Sequence, residues 1–307
     1  MKNTALSAIK KELKKNWGLY LLVAIPVLYL ILFKYIPMYG VQIAFRDFTP
    51  VRTITGSPWV GWKHFIRFLE NPRFFSIVKN TLFISLYSLC TFPLPILLAL
   101  MLNYIPSPRF KKTVQLVSYA PHFISTVVMA GIILQFLDTR NGVINILIQA
   151  LGGNSVNFMS NPDYFYTIYV WSGVWQGVGY GSIIYIASLA GVPPELHEAA
   201  IVDGATIMKR IRHIDIPCLM PTIAILLIMN CGGILSVGYE KIYLLQNNLN
   251  TTVSEVISTF VYKQGIASTL PQYSYATAIG LFVSVINVVL LITVNKITGK
   301  ISGNSLW

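Results

Sequence analysis

Thr81-Leu-Phe-Ile-Ser-Leu-Tyr-Ser-Leu-Cys-Thr-Phe-Pro-Leu-Pro-Ile-Leu-Leu-Ala-Leu-Met-Leu102 contains no Asp, Glu, Lys or Arg. A bilayer core about 30 Å thick needs roughly 20 apolar residues at the rise of an α-helix, and this stretch supplies them. Five further stretches read the same way: Asn16 to Phe33, Thr113 to Leu137, Tyr164 to Pro194, Cys218 to Tyr239 and Gly265 to Asn295. All six are expected to be helices. Isolated strands cannot satisfy their backbone groups in hydrocarbon, and barrel strands alternate in polarity. The expectation is one all-α integral membrane domain over residues 1–307, with spans near 16–36, 78–103, 113–137, 164–190, 218–240 and 272–295.

Composition agrees. With 54% hydrophobic and 11% charged residues, and a mean hydropathy of +0.62, a soluble fold would lack polar surface to cover itself. The first stretch follows five lysines, as a secretory signal would. However, no small-x-small cleavage site follows it, and apolar residues continue past Lys34. Cys90, Cys218 and Cys231 lie in or at the end of spans at no metal-binding spacing, which marks them as packing residues and not disulfides.

Lys2, Lys10, Lys11, Lys14 and Lys15 place the N-terminus in the cytoplasm. With six spans the C-terminus joins it, and the shared side holds thirteen basic residues against ten on the other. Seven of those ten lie between Lys34 and Lys79. There Trp62, Phe65, Ile66, Phe68 and Leu69, interleaved with Lys63, His64 and Arg67, read as an amphipathic helix on the outer interface, where basic residues are tolerated. The net charge of +12 thus reflects topology and lipid headgroup contact, and no nucleic-acid module is visible. The hydrophilic insertions at 40–75, 138–162 and 241–264 fall outside; residues 193–217 fall inside.

That internal loop has specific physics. Pro194 suits a first helical turn, and Glu195 and Glu198 lie near its positive N-terminal end. Ala199 and Ala200 keep one flank small, Gly204 supplies a break, and Thr206 caps a second helix carrying Lys209, Arg210 and Arg212 in its last turn. Pro217 and Pro221 then open the fifth span. The product is a helix-turn-helix surface projecting into the cytoplasm.

Glu198-Ala199-Ala200, three residues, Gly204, nine residues, then Ile214-Asp215-Ile216-Pro217 resembles the EAA loop of ABC importer permeases, with Ile216 in the place usually held by Leu. Nearly the whole chain is similar to the carbohydrate-uptake permeases of the lipoprotein-linked polysaccharide, or maltose-type, group. The stretches that carry this are Tyr35-Ile-Pro-Met-Tyr-Gly40, Gln42-Ile-Ala-Phe45, Ser57-Pro-Trp-Val-Gly61, Asn80-Thr81, Gly238-Tyr-Glu-Lys-Ile-Tyr-Leu-Leu245 and Tyr273-Ser-Tyr-Ala-Thr-Ala-Ile-Gly280. The resemblance implies a type I importer fold in a bacterial plasma membrane, paired with a second permease. It implies an extracytoplasmic solute-binding lipoprotein and an oligosaccharide substrate. It also implies a cytoplasmic ATPase on which Glu195, Glu198, Ala199, Ala200, Asp203, Gly204, Ile214 and Pro217 would dock.

The chain has no Gly-x4-Gly-Lys-Ser/Thr phosphate loop, so ATP and Mg would bind the partner and no cofactor this chain. An ion-coupled carrier is the alternative, but such carriers place ionisable groups within the bundle, and these spans hold them only at their ends, at Lys34 and Glu240. A membrane enzyme fares worst, for no His/Glu metal spacing or Gly-x-Ser-x-Gly is present. Sugars are read by aromatic faces and neutral hydrogen-bonding groups. The candidates are Tyr119, His122, Trp171, Trp175, Gln176, Tyr180, Asn230 and Tyr239, each equally open to plain packing. The glycines at 173, 177, 179 and 181 fit close packing or an unwound segment. Glu240 and Lys241 read as interfacial snorkelling or as contacts to a binding protein.

Overall fold

The computed structural model describes residues 14–303 and 305–306; Lys2, Lys10 and Lys11, on which the orientation partly rests, lie outside them. Helices are α1 (Trp17–Leu30), α2 (Lys63–Leu69), α3 (Phe74–Cys90), α4 (Pro93–Asn103), α5 (Pro108–Tyr119), α6 (Thr126–Phe136), α7 (Val143–Ala150), α8 (Pro162–Ala190), α9 (Pro194–Val202), α10 (Ile216–Gly232), α11 (Tyr239–Leu245), α12 (Ile257–Tyr262) and α13 (Tyr273–Ser302). Short π, 3₁₀ and single-turn pieces extend or link them. The β pairing among the described residues is one isolated bridge, Arg46 to Trp59.

Four continuous helical runs are long and apolar enough to cross a membrane: Trp17–Phe45, Phe74–Asn103, Ile207–Gly232 and Tyr273–Lys300. The α8 helix, 29 residues long, has the length but is less apolar, because glycine, tyrosine and tryptophan recur along it. Two expected spans are corrected. The stretch Thr113 to Leu137 is not one helix: α5 and α6 meet at 102°. Pro121 lacks an N–H to continue the ladder, and Ser125 restarts it by accepting from Val128 N at 3.3 Å. The fifth span ends at Gly232, not near 240; an irregular segment then leads to α11, so Tyr239, Glu240 and Lys241 begin a separate helix. At its other end this span starts early, running from Ile207 through a π turn at Ile211–Asp215 that widens the ladder where Pro217 cannot donate.

The helix expected at 62–69 forms as α2, with Trp62, Ile66 and Leu69 exposed. His64 and Phe68 on α2 are buried inside the protein, where Phe68 meets Phe74, Tyr275, Phe260 and Phe282. The three cysteines are free, Cys231 half-buried and Cys90 and Cys218 exposed rather than packed in the core.

Three clusters hold the bundle. One joins α3, α6, α8 and α11 through Ile84, Met129, Phe165 and Ile242. A second joins α2, α3, α12 and α13, and a third fixes the opposite end through Ala99, Tyr185, Leu189 and Leu219 on α4, α8 and α10. Asn80 and Thr81 form a polar hub in α3. Asn80 Nδ2 donates to Thr252 O and Glu255 O, both at 3.0 Å, Tyr166 donates to its Oδ1 at 2.8 Å, and Thr81 Oγ1 accepts from Ile257 N at 3.0 Å.

Helix α8 crosses α5 at Gly179, where a Cβ would stand 2.0 Å from Ser118 O. At Gly177, one half-turn away, a Cβ meets nothing within 4 Å. Gly179→Ala is therefore expected to push the two helices apart at a cost of about 1–3 kcal/mol, while Gly177→Ala fits without a clash and gains about 0.5–1 kcal/mol of helix preference. Thermal unfolding followed by size-exclusion fluorescence separates the two; equal Tm values would show that this crossing does not set the packing.

Candidate functional site

The 193–217 loop is built by local capping. Pro194 stands in the first turn of α9 with Glu195 beside it. At the other end Ala205 N donates to Ala200 O at 2.8 Å and Gly204 N to Ile201 O at 3.0 Å. These bonds form a Schellman closure that needs a left-handed residue, and Gly204 sits at φ 72°. Thr206 Oγ1 then accepts from Lys209 N at 3.4 Å and opens the helix that becomes α10.

No residue of α9 is buried. Glu195, Glu198, Ala199, Asp203, Gly204 and Pro217 are exposed, and Ala200 and Ile214 half-buried. Three large apolar side chains of α9 also face outward, Leu196, Ile201 and Val202, the last 87% exposed.

One buried carboxylate ties this projection to the bundle. Asp215 is fully buried and accepts from the Tyr104 hydroxyl, just beyond α4, at 2.6 Å. His197 Nε2 of α9 lies 3.4 Å from its other oxygen, and the Arg210 guanidinium stands over the Tyr104 ring at 5.2 Å. Burial first, and the Asp215 carboxylate next, push the Tyr104 phenol up to about 12. Asp215 occupied the variable position of the Ile-x-Leu-Pro ending, so the motif gave no reason to single it out. Tyr104 and His197 carried no sequence signal.

A cavity of about 650 Å³ lies inside the bundle between α3, α4, α8 and α10 and the segment leading to α11. Gln176, Asn230 and Lys241 line it. Gln176 Nε2 is already engaged with Ile124 O at 2.9 Å, and Asn230 Nδ2 with Leu226 O at 2.8 Å. The other candidates lie elsewhere. Trp171 is half-exposed and donates to Tyr87 Oη at 3.0 Å, and Trp175 is likewise half-exposed. His122 stacks on Tyr180 with ring centroids 3.8 Å apart, and Tyr119 closes α5. Tyr239 stacks on Tyr262 at 4.8 Å beside a second cavity of about 680 Å³ bounded by α12 and α13. Glu240 is exposed, whereas Lys241 turns inward; its Nζ donates to Tyr169 O at 3.1 Å. Tyr169, on the cavity wall, was missed because one tyrosine among the many in α8 carries no distinguishing spacing. Among the described residues no group of three His, Cys, Asp or Glu could hold a metal.

Membrane-crossing helices around a polar-lined cavity, with a capped two-helix projection at one end, define a membrane transport component. Residues 92–302 match the family described as binding-protein-dependent transport system inner membrane component. The chain is 41% identical to protein LplB of Bacillus subtilis (strain 168) over 96% of its length and 92% of that protein's. It is 40% identical to the polygalacturonan/rhamnogalacturonan transport system permease protein YteP of the same organism, over 94% and 90%. It superposes with a TM-score of 0.87 and 38% identity on a chain of a bacterial ABC transporter involved in the import of the acidic polysaccharide alginate, covering 95% of this chain and 99% of that one. A bacterial alginate ABC transporter solved with an alginate pentasaccharide-bound periplasmic protein gives 0.87 and 37%, covering 96% and 99%.

The chain belongs to the binding-protein-dependent transport system inner membrane component family. It is a multi-pass permease subunit of an ABC importer with the type I fold. It works with a solute-binding protein, and ATP hydrolysis falls to a separate subunit.

The Tyr104 to Asp215 bond has a testable consequence. Tyr104→Phe removes the donor of a buried carboxylate and is expected to destabilise the protein by about 1–3 kcal/mol. Adding Asp215→Asn to it should recover part of that loss, because the unsatisfied group is then neutral. Denaturation of the detergent-purified protein in a double-mutant cycle measures this; strictly additive effects would show that the two groups are not coupled.

Proposed function

We propose that this chain and a second, similar permease together carry an oligosaccharide across a bacterial plasma membrane, driven by a cytoplasmic ATPase that docks on α9. The observation that carries the docking reading is that α9 buries none of its residues and leaves Leu196, Ile201 and Val202 exposed beside Glu195 and Glu198. A surface patch of that mixture, rimmed by charge, marks a protein partner. Ala199 and Gly204 keep it close to the backbone, so a partner's groove can approach.

The chain lacks a phosphate loop, so ATP and Mg belong to the ATPase, and one docking loop per permease calls for two permeases to serve two nucleotide sites. The oligosaccharide follows from two relatives: YteP, named for polygalacturonan and rhamnogalacturonan, and the arabinooligosaccharides transport system permease protein AraP of Bacillus subtilis, 31% identical over 76% of this chain. Both termini and residues 193–217 are cytoplasmic, and residues 138–162 external. Transport proceeds by alternating access, in which the ATPase pair moves the two α9 helices and the bundle opens to either side in turn.

Ala199→Glu places a second carboxylate beside Glu198 inside the docking surface, and an unpaired charge buried there costs on the order of a few kcal/mol. Sugar uptake and co-purified ATPase should both collapse, while membrane insertion and pairing with the second permease persist. Normal uptake with full ATPase recovery would exclude α9 as the coupling element. Single-cysteine labelling checks the topology: a cysteine at position 200 that reacts from outside intact cells would invert it.

A further inference from the structure

Lys241 enters the cavity between α3, α4, α8 and α10 from the first turn of α11, and of the residues lining that cavity it is the one that carries a charge. Among the described residues no carboxylate lies within ion-pair distance of it. Its Nζ is held in place, 3.1 Å from Tyr169 O and 4.9 Å from the Tyr169 ring centroid. Gly173 of α8 lies alongside, where a Cβ would stand 3.6 Å from the Nζ, an ordinary contact distance. The Lys241 side chain is half-buried in this wall. An ammonium taken this far from water calls for an anion, and the protein offers one carbonyl and a ring face instead.

We propose that Lys241 reads the carboxylate of a sugar acid, so that the oligosaccharide passing through this cavity contains uronate units. This rests on the import reading above. One of the three N–H groups of the ammonium is taken by Tyr169 O, which leaves two that can give a carboxylate short, charge-assisted bonds. The remaining polar wall is neutral, with Gln176, Asn230 and Ser88 suited to sugar hydroxyls and no acidic side chain to repel a uronate. The volume of about 650 Å³ falls within the range of pockets that enclose small ligands.

The test uses the complete transporter, both permeases with the ATPase, in nanodiscs with a non-hydrolysable ATP analogue. Equilibrium binding is measured for trisaccharides of galacturonate, mannuronate and glucuronate, each beside its counterpart with the carboxyls reduced to primary alcohols. The wild type is expected to bind at least one acid tenfold or more tightly than its reduced form. Lys241→Gln and Lys241→Met should erase that preference while still binding the reduced sugar, and Lys241→Arg should keep it. Equal binding of every acid and its reduced form by the wild type, or a preference that survives in Lys241→Gln, overturns the assignment and leaves import intact. Binding of no sugar in the panel by the wild type overturns the oligosaccharide reading itself. The wild-type comparison stands without any variant, so failed assembly of a mutant does not decide the matter.

Discussion

Each backbone N–H and C=O group that leaves water must find a partner inside the protein, and in hydrocarbon no solvent stands in for one. Helices meet that demand along most of this chain. It breaks the ladder at two places in the bundle, and at each a neutral side chain from another helix takes over. Beyond Pro121 the freed carbonyl of Ile124 receives Gln176 Nε2. Beyond Gly232 the N–H of Leu235 donates to Asn287 Oδ1 at 3.3 Å, and Asn287 Nδ2 donates to Ser236 Oγ at 2.8 Å. The second repair lets the chain leave α10, turn, and re-enter as α11, which brings Lys241 into the cavity. Irregular backbone in such a bundle is affordable where it lines a cavity, and here it does.

The same need for partners explains why counting basic residues gave so even a division between the two sides. Four of the five Lys and Arg side chains between residues 46 and 73 are committed within the protein. Arg46 donates to Ser57 O at 2.8 Å, Lys63 pairs with Asp47 at 2.6 Å, and Arg67 lies over the Tyr275 ring at 4.4 Å. Arg73 and Lys263 both reach the buried Glu255, at 3.2 and 3.1 Å. Charges neutralised or stacked in a folded segment say little about which side of the membrane that segment occupies, yet they weigh fully in a tally taken from sequence.

What the sequence disclosed and what it hid divide along the range of the forces involved. The loop at 193–217 was legible because its determinants act within five residues: a proline in the first turn, a glycine at φ 72° and a threonine cap. Six apolar stretches were legible because hydropathy is additive. Their direction was not, since a charge-free run at 113–137 reads alike whether it is straight or bent through 102°. Gln176 was singled out for sugar binding and lines the cavity, but its amide donors serve a broken helix first. Trp171 and Trp175 share a helix face as their spacing required, and that face looks away from the cavity; a period of 3.6 fixes relative placement and leaves absolute orientation to packing.

Asp215 connects the two ends of the molecule. It sits where the Ile207–Gly232 helix leaves the 193–217 loop, and the same helix carries Asn230 at the cavity wall. Its hydroxyl partner Tyr104 ends α4, whose Leu94 and Pro95 line the opposite wall. Two walls of the cavity are thus anchored at their base by one carboxylate, with His197 of α9 alongside. On the coupling reading, a push on α9 meets this anchor before it meets either wall. A purely apolar contact would slide, since dispersion is weakly directional. A 2.6 Å hydrogen bond to a buried anion resists sliding, because stretching it strands a charge without solvent. Helices α4 and α10 therefore move together or the bond breaks, and a lever that keeps its fulcrum intact transmits motion from the loop to the cavity with little lost in between.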